Sequence, residues 1–406
     1  MMSIIVQKYG GSSVADAEKL KKIAGLIASV KEQKYDVVAV VSAMGKTTNQ
    51  LIEMAKVLSD NPEKRELDML LSTGERITMA LLCIALNDLG IKAISLTGSQ
   101  SGIITNDRYN DARVIEVRPF RVQDELAKDR VVVIGGFQGV SYKRDITTLG
   151  RGGSDTSAVA LAAALNAERC EIYSDVDGVY TTDPNVVKDA KHLPEISYQQ
   201  IQEMAEAGAK VLNAQAIQFA KEAKIAIYAR STFNPGKETI IRELAPADRP
   251  AVIAVVHETD IVRVLFVNKN PEVNFNDSFR TFFNLLEEND MSVKEINLID
   301  SEKPGVSKAS FIVSRKNIHG WEKIEKKLNE RYKEQINIDN SFGAVSLIGE
   351  GFSRDNRSVS ETISILKENN ISYYSLTTTS FRISMLVKKE MLETCAAVLH
   401  NYWINK

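Results

Sequence analysis

The sequence predicts an α/β protein: a mainly parallel sheet covered by helices on both faces, followed by a smaller part built from a repeated unit. Three observations carry this. Short continuous apolar runs alternate with helical periodicity through about residue 230, as expected of a parallel sheet buried on both faces. From Ser231 to Pro250 the pattern breaks up around Asn234-Pro235-Gly236, Pro246 and Pro250, which marks a boundary near residue 245. Beyond that boundary one order of elements occurs twice.

The expected strands of the first domain, residues 1–245, are Ile4–Gln7, Val37–Val41, Ala93–Leu96, Val131–Ile134, Glu171–Tyr173 and Ile225–Tyr228. A further short strand, Thr239–Ile241, falls within the connection. Between them Leu20, Ile23, Ala24, Ile27 and Val30 recur at helical spacing, as do Leu51, Met54, Ala55 and Leu58, and then Met79, Leu82, Cys83 and Leu86. The repeat reads strand Ile261–Val267, helix Asp277–Glu288, strands Val293–Ile299 and Ala309–Val313, helix Trp321–Arg331. It returns as strand Val345–Ile348, helix Val359–Asn369, strands Tyr373–Thr377 and Ile383–Val387, helix Met391–Leu399. The second copy ends without a closing strand, whereas Ala251–Val256 precedes the first copy without a partner. We expect residues 251–256 to complete the second unit, interleaving a first unit, 257–340, with a second, 341–406.

The chain has 406 residues, enough for two or three domains. Lys and Arg number 51 against 53 Asp and Glu, a net charge of −2, which provides no broad field for nucleic acid or an anionic membrane. Hydrophobic residues at 44% and charged ones at 26% are ordinary for a globular protein in water, and no stretch reaches about 18 apolar residues without a charge. The N-terminus lacks a basic region followed by a long apolar run, so the expected compartment is the cytoplasm. Cys83, Cys170 and Cys395 lie far apart in apolar neighbourhoods, against a disulfide framework or a zinc site.

Four stretches carry candidate chemistry. Lys8-Tyr9-Gly10-Gly11-Ser12-Ser13 ends the first strand and precedes a helix whose capping signal is Ser13 with Asp16. Its glycines let backbone N–H groups approach a phosphate and Lys8 supplies a charge, although a tight turn with a surface lysine would read the same. Thr147-Thr148-Leu149-Gly150-Arg151-Gly152-Gly153-Ser154-Asp155-Thr156 again places glycines before a helix. Three glycines in four residues carry an entropic cost that a plain connector seldom bears. Ser174-Asp175-Val176-Asp177-Gly178-Val179-Tyr180-Thr181-Thr182-Asp183-Pro184 offers acidic and hydroxyl groups to ribose or Mg²⁺, yet Asp and Gly in a turn need no ligand. In Ser72-Thr73-Gly74-Glu75-Arg76, Glu75 would also satisfy a helix dipole unaided. Neither a Walker loop nor a Gly-x-Gly-x-x-Gly dinucleotide motif is present.

Taken together with Ser42-Ala43-Met44-Gly45, these stretches resemble, in order and spacing, the aspartokinase family of the amino-acid kinase superfamily. The resemblance covers essentially the whole chain. It implies an amino-acid-kinase-like three-layer αβα sandwich followed by two ACT units, the ferredoxin-like βαββαβ modules that bind amino acids and join subunits in that family. It also implies transfer of the γ-phosphoryl group of ATP to the β-carboxylate of L-aspartate, opening the pathway to lysine, threonine, methionine and diaminopimelate.

The resemblance assigns roles residue by residue. Lys8 and Asp155 are the catalytic pair. Thr48, Glu75, Arg151, Gly152, Gly153 and Ser154 would hold aspartate, with Arg151 on its α-carboxylate and Glu75 on its α-ammonium. Lys8, Tyr9, Gly10, Gly11, Ser42, Ser174, Asp175, Tyr180, Asp183 and Lys210 would meet ATP, with Mg²⁺ bridging its phosphates and taking few protein ligands. A homo-oligomer through the ACT units, a dimer or a dimer of dimers, is implied as well.

Two departures stand out. Where many relatives carry His-Pro after Gly208-Ala209-Lys210-Val211-Leu212, this chain has Asn213-Ala214, and a local helix change is expected. The Pro-Gly pair of the effector loops is missing from both units, at Asn268–Asn276 and Gly351–Ser358, and the usual Ser-Thr-Ser-Glu run is Thr377-Thr378-Thr379-Ser380. Feedback control by lysine or threonine is therefore expected to be weak or absent, with Phe275, Phe279, Phe282 and Phe283 serving as core and interface. Two other readings stay open at this stage: a kinase for another acidic amino acid, and a catalytically idle amino-acid-sensing subunit.

Overall fold

The computed structural model describes residues 2–150, 152–234, 236–245, 251–268, 275–288, 291, 293–300, 307–315, 321–332, 335–354 and 356–405. They form two compact units. The first runs from β1 (Ile4–Tyr9), α1 (Ala17–Glu32) and β2 (Asp36–Val41) through α2 (Thr47–Leu58), α3 (Lys64–Leu71) and α4 (Thr73–Asp88) to β3 (Ala93–Leu96). Then come β4 (Ile103–Thr105), β5 (Val114–Val117), α5 (Phe120–Leu126), β6 (Val131–Gly135), β7 (Gln138–Ser141) and β8 (Ile146–Thr148). It closes with α6 (Gly153–Ala164), β9 (Arg169–Ser174), β10 (Val179–Tyr180), β11 (His192–Leu193), β12 (Glu195–Ser197), α7 (Tyr198–Glu206), α8 (Ala214–Ala223), β13 (Ile227–Ser231) and β14 (Glu238–Arg242).

The main sheet has the order β12-β14-β13-β9-β1-β2-β6-β3, parallel except where β13 meets β14. β2 is buried along its whole length because helices cover both faces. One face receives α1 and α4, whose Leu20, Ile23, Ile27, Leu82 and Leu86 pack with Val37, Ala39 and Val41. The other receives α6, whose small apolar residues are buried all round, as a helix enclosed on every side requires. The 25-residue helical run Lys64–Asp88 has the length and hydropathy of a membrane span, yet α4 buries Glu75, Thr78, Met79, Leu82, Cys83 and Leu86 within the unit.

Three differences from the sequence reading have local causes. The cap of α1 is Asp16, whose side chain accepts from the Lys19 N–H, and Ser13 instead bonds the Thr232 hydroxyl at 2.6 Å. The strand expected at Ile225 begins at Ile227, because the Ile225 N–H still bonds the Ala220 carbonyl and its own carbonyl accepts from Tyr198. The small sheet β5-β4-β7-β8 is absent from the sequence reading because its short strands mix polar with apolar residues and form no continuous apolar run.

The second unit takes in residues 181–190, 207–209 and everything from 246 onward, so two short stretches of the expected first domain cluster with it. It contains β15 (Ala251–Glu258), β16 (Ile261–Asn268), α9 (Phe275–Glu288), β17 (Val293–Asp300), β18 (Ser307–Ser314), α10 (Trp321–Tyr332) and β19 (Ile336–Asp339). β20 (Phe342–Glu350), α11 (Arg357–Glu368), β21 (Tyr373–Thr378), β22 (Arg382–Lys388) and α12 (Leu392–Ile404) follow. Two antiparallel sheets result, β17-β18-β16-β19 and β21-β22-β20-β15. β15 occupies in the second sheet the place that β19 occupies in the first, pairing from Ala251 opposite Glu350 to Glu258 opposite Ala344. Each sheet carries its helices on one face, around Phe266 and Phe282 or around Leu347 and Leu399. The opposite faces contribute Ile261, Ile312, Phe342, Ala344 and Leu386 to one shared cluster.

Candidate active site

The carboxyl ends of β1, β2 and β9 lie side by side, with Tyr9 opposite both Val41 and Tyr173, and in such sheets this is where ligands bind. Just beyond β1 the chain turns: the Gly10 N–H donates to the Tyr173 carbonyl and the Ser13 N–H to Gly10. A Cβ on Gly11 would stand 2.9 Å from the Ala43 carbonyl oxygen, so this turn admits glycine alone. A Cβ on Gly10 would have the Lys8 ammonium 3.5 Å away, which places the turn's backbone beside that cation.

Lys8 leaves β1 toward α6 and its Nζ lies 2.7 Å from Oδ1 of Asp155. The pair is nearly buried, which strengthens the ionic contact between them. Asp155 is placed by the first turn of α6, entered through Gly152 at φ 74°. A side chain at Gly152 would crowd Asn213, since its Cβ would stand 3.0 Å from Cβ and Nδ2 of that residue. Asn213 caps α8 by accepting from the Gln215 N–H, and also accepts the Thr156 hydroxyl.

Glu75 stands in the first turn of α4, only 3% exposed. Its Oε1 accepts the Ala43 N–H at 3.0 Å and its Oε2 has no partner among the described residues. Burial, opposed by hydrogen bonds from the backbone of Glu75 and Ala43, pushes its carboxyl from 4.5 up to about 7. Ser42 donates to Ser154 at 3.0 Å and bridges the end of β2 to α6. A Cβ on Gly74 would touch Ala43 and lie 3.6 Å from Thr47, which seats the first turn of α2, with Thr48, against the start of α4.

Lys8, Gly10, Gly11, Ser42, Glu75, Ser154 and Asp155 are thus brought to one end of the sheet. Arg151 lies outside the described residues. Tyr9 is a correction: its ring is fully buried, stacked on Tyr173 at 5.0 Å, with its hydroxyl on Gln7, so only its backbone faces the turn. Strand alternation accounts for this, since a residue next to Lys8, which points to the α6 face, must point to the opposite face under α1 and α4. Ser174 closes its own turn on Val176, Asp175 and Lys210 are exposed, and the Tyr180 hydroxyl donates to Asp177. Asp183 belongs to the second unit, where it accepts from Asn185. All three cysteines are buried; burial raises Cys83 and Cys395 to about 12 and lifts Cys170 as well, which removes them as nucleophiles.

Two buried side chains escaped the sequence reading. The Thr239 hydroxyl accepts the Val179 N–H at 2.8 Å and donates to the Leu193 carbonyl, holding the hairpin β10–β11. Asp68 of α3 hydrogen-bonds Asn110 and Thr148. The available signal was a lone acid within the apolar run Leu67-Asp68-Met69-Leu70-Leu71.

The Amino acid kinase family profile matches residues 3–231. The chain is 40% identical to the aspartokinase of Mycolicibacterium smegmatis, over 98% of this chain and 96% of that protein. It is 38% identical to the aspartokinase of Bacillus sp. strain MGA3, over 98% and 97%. Among solved structures, Escherichia coli aspartokinase III in complex with aspartate and ADP superposes with a TM-score of 0.82 at 23% identity, covering 99% of this chain and all of that one, which shows a shared fold. The chain belongs to the amino acid kinase family and, within it, to the aspartokinases.

Proposed function

We propose that the enzyme transfers the γ-phosphoryl group of ATP to the β-carboxylate of L-aspartate, giving 4-phospho-L-aspartate and ADP. The observation that carries this reading is the pair of charges at one sheet end: the Lys8–Asp155 contact, and across the Ser42–Ser154 bridge a buried carboxylate oxygen of Glu75 without a partner among the described residues. A carboxylate acceptor is ionised at neutral pH, so no base is required; the difficulty lies in bringing two anions together. One β-carboxylate oxygen bonds to phosphorus as the bond to the ADP oxygen breaks, and no proton moves.

Lys8 offsets charge on the transferring group, with the Gly11 N–H and the α6 N-terminus beside it, the Gly10 N–H being taken by the Tyr173 carbonyl. Asp155 orients the ammonium. Glu75 receives the α-ammonium of aspartate, Arg151 its α-carboxylate, and Thr48, Gly152, Gly153 and Ser154 complete that side. Ser174, Asp175, Tyr180, Asp183 and Lys210 serve the nucleotide. Mg²⁺ bound to ATP would neutralise phosphate charge and take few protein ligands.

We assign the two antiparallel sheets as ACT units that join subunits into a dimer or a dimer of dimers, and place the enzyme in the cytoplasm at the head of the aspartate pathway. Of the effector loops, residues 269–274 lie outside the described residues. In the second loop Phe352 is buried against the sheet and its N–H donates to the Ser380 carbonyl. Hydroxamate formation from ATP and hydroxylamine with aspartate tests the reaction. Equal turnover with glutamate would overturn the acceptor assignment.

A further inference from the structure

We propose that Asp68 is a positioning residue for Gly150 and the strand end before it, setting where the entrance of the glycine loop stands relative to aspartate. The inference rests on the reading of this loop as the acceptor site. Asp68 is fully buried in α3, and its carboxylate accepts four hydrogen bonds. The Asn110 N–H reaches both oxygens at 3.1 Å, the Thr148 N–H reaches Oδ2 at 3.0 Å, and the Thr148 hydroxyl reaches Oδ1 at 2.6 Å. The Thr148 carbonyl is held too, accepting the Ala112 N–H at 2.9 Å.

Thr148 is the last residue of β8, two before Gly150. Gly150 sits at φ 69°, and a Cβ there would lie 2.9 Å from Oδ1 of Asp111 and 3.5 Å from the Asn110 carbonyl oxygen. The loop's first glycine therefore rests on the same turn that Asp68 grips through Asn110. One carboxylate fixes both the strand end that feeds the loop and the surface it leans on. Three residues after Gly150 begins α6, which carries Ser154 and Asp155. A carboxylate shielded from water exerts this control because the groups that bond it gain nothing by turning elsewhere.

The alternative is that Asp68 only helps the small sheet to fold. Steady-state kinetics with aspartate and ATP varied separately, together with thermal unfolding, distinguish the two for Asp68→Asn and Thr148→Val, with Arg151→Ala in parallel. The amide introduced by Asp68→Asn would present a donor where an acceptor is needed. The expected result is an aspartate KM raised about tenfold in Asp68→Asn and severalfold in Thr148→Val, with the ATP KM changed by less than about twofold. A lowered melting temperature with both KM values unchanged overturns the proposal, as does an equal rise of both. Should Asp68→Asn fail to fold, Thr148→Val decides alone by the same criteria. If Arg151→Ala itself leaves the aspartate KM unmoved, the acceptor reading fails and takes the proposal with it; if Arg151→Ala raises that KM while the other two variants do not, only the positioning role is lost.

Discussion

If Glu75 receives the α-ammonium of aspartate, its oxygen without a partner among the described residues should make aspartate binding depend on a proton. Moving the carboxyl from 4.5 to about 7 corresponds to about 3 kcal/mol against ionisation, at about 1.4 kcal/mol per unit. An arriving ammonium replaces the missing partner and favours the ionised form, so proton and aspartate compete for Glu75. The aspartate KM should then be about double its alkaline limit at pH 7 and about tenfold above it at pH 6, while the ATP KM stays flat. Glu75→Gln, neutral at every pH, should abolish this dependence and raise the aspartate KM by about ten- to a hundredfold, the worth of a charged hydrogen bond. The free enzyme gives an independent sign. Because the folded-state value lies above the unfolded one, folding takes up a proton between about pH 4.5 and 7, and this group's contribution to stability falls as pH rises through that window. Aspartate titrations monitored by kcat and KM across this range, with urea unfolding of wild type and Glu75→Gln, measure both effects. A wild-type aspartate KM that is flat from pH 6 to 8, matched by an unaltered KM in Glu75→Gln, would refute the reasoning.

Lys8→Met should lower kcat by about a thousandfold or more while leaving the aspartate KM within a few-fold, because the lost charge acts on the transferring group; an unchanged kcat removes Lys8 from the mechanism. Millimolar lysine, threonine or their mixture should leave most of the aspartokinase activity, and strong inhibition by any of them would show that the altered loops still bind an effector. Phe282, fully buried among the rings of Phe266, Phe311 and Tyr332, anchors the antiparallel sheet β17-β18-β16-β19. Phe282→Ala should destabilise the second unit by about 3–5 kcal/mol in chemical denaturation, and a loss below about 1 kcal/mol would mean the helix face is not packed as described.

Some of this molecule was legible in the sequence alone. Continuous apolar runs such as Val37–Val41 determine a strand buried on both faces, and the glycine turns after them are recognisable because few other residues fit where backbone meets backbone, as Gly11 meets Ala43. The repeat was legible too, and with it the orphan strand at 251–256, since an unpaired edge in one copy and an unpaired run before the other have one economical solution. Only the tertiary structure decided which side chains share a site. Lys8 and Asp155 are 147 residues apart, and it is the packing of α6 over β1 that puts their charges in contact. The same packing turns Tyr9 inward, and the surrounding chain lifts the Glu75 carboxyl by burying it and gives Asp68 its four hydrogen bonds. Periodicity reports which face of an element is apolar; whether a polar group on that face finds a partner depends on chains far away in sequence, and that is where the site's chemistry was set.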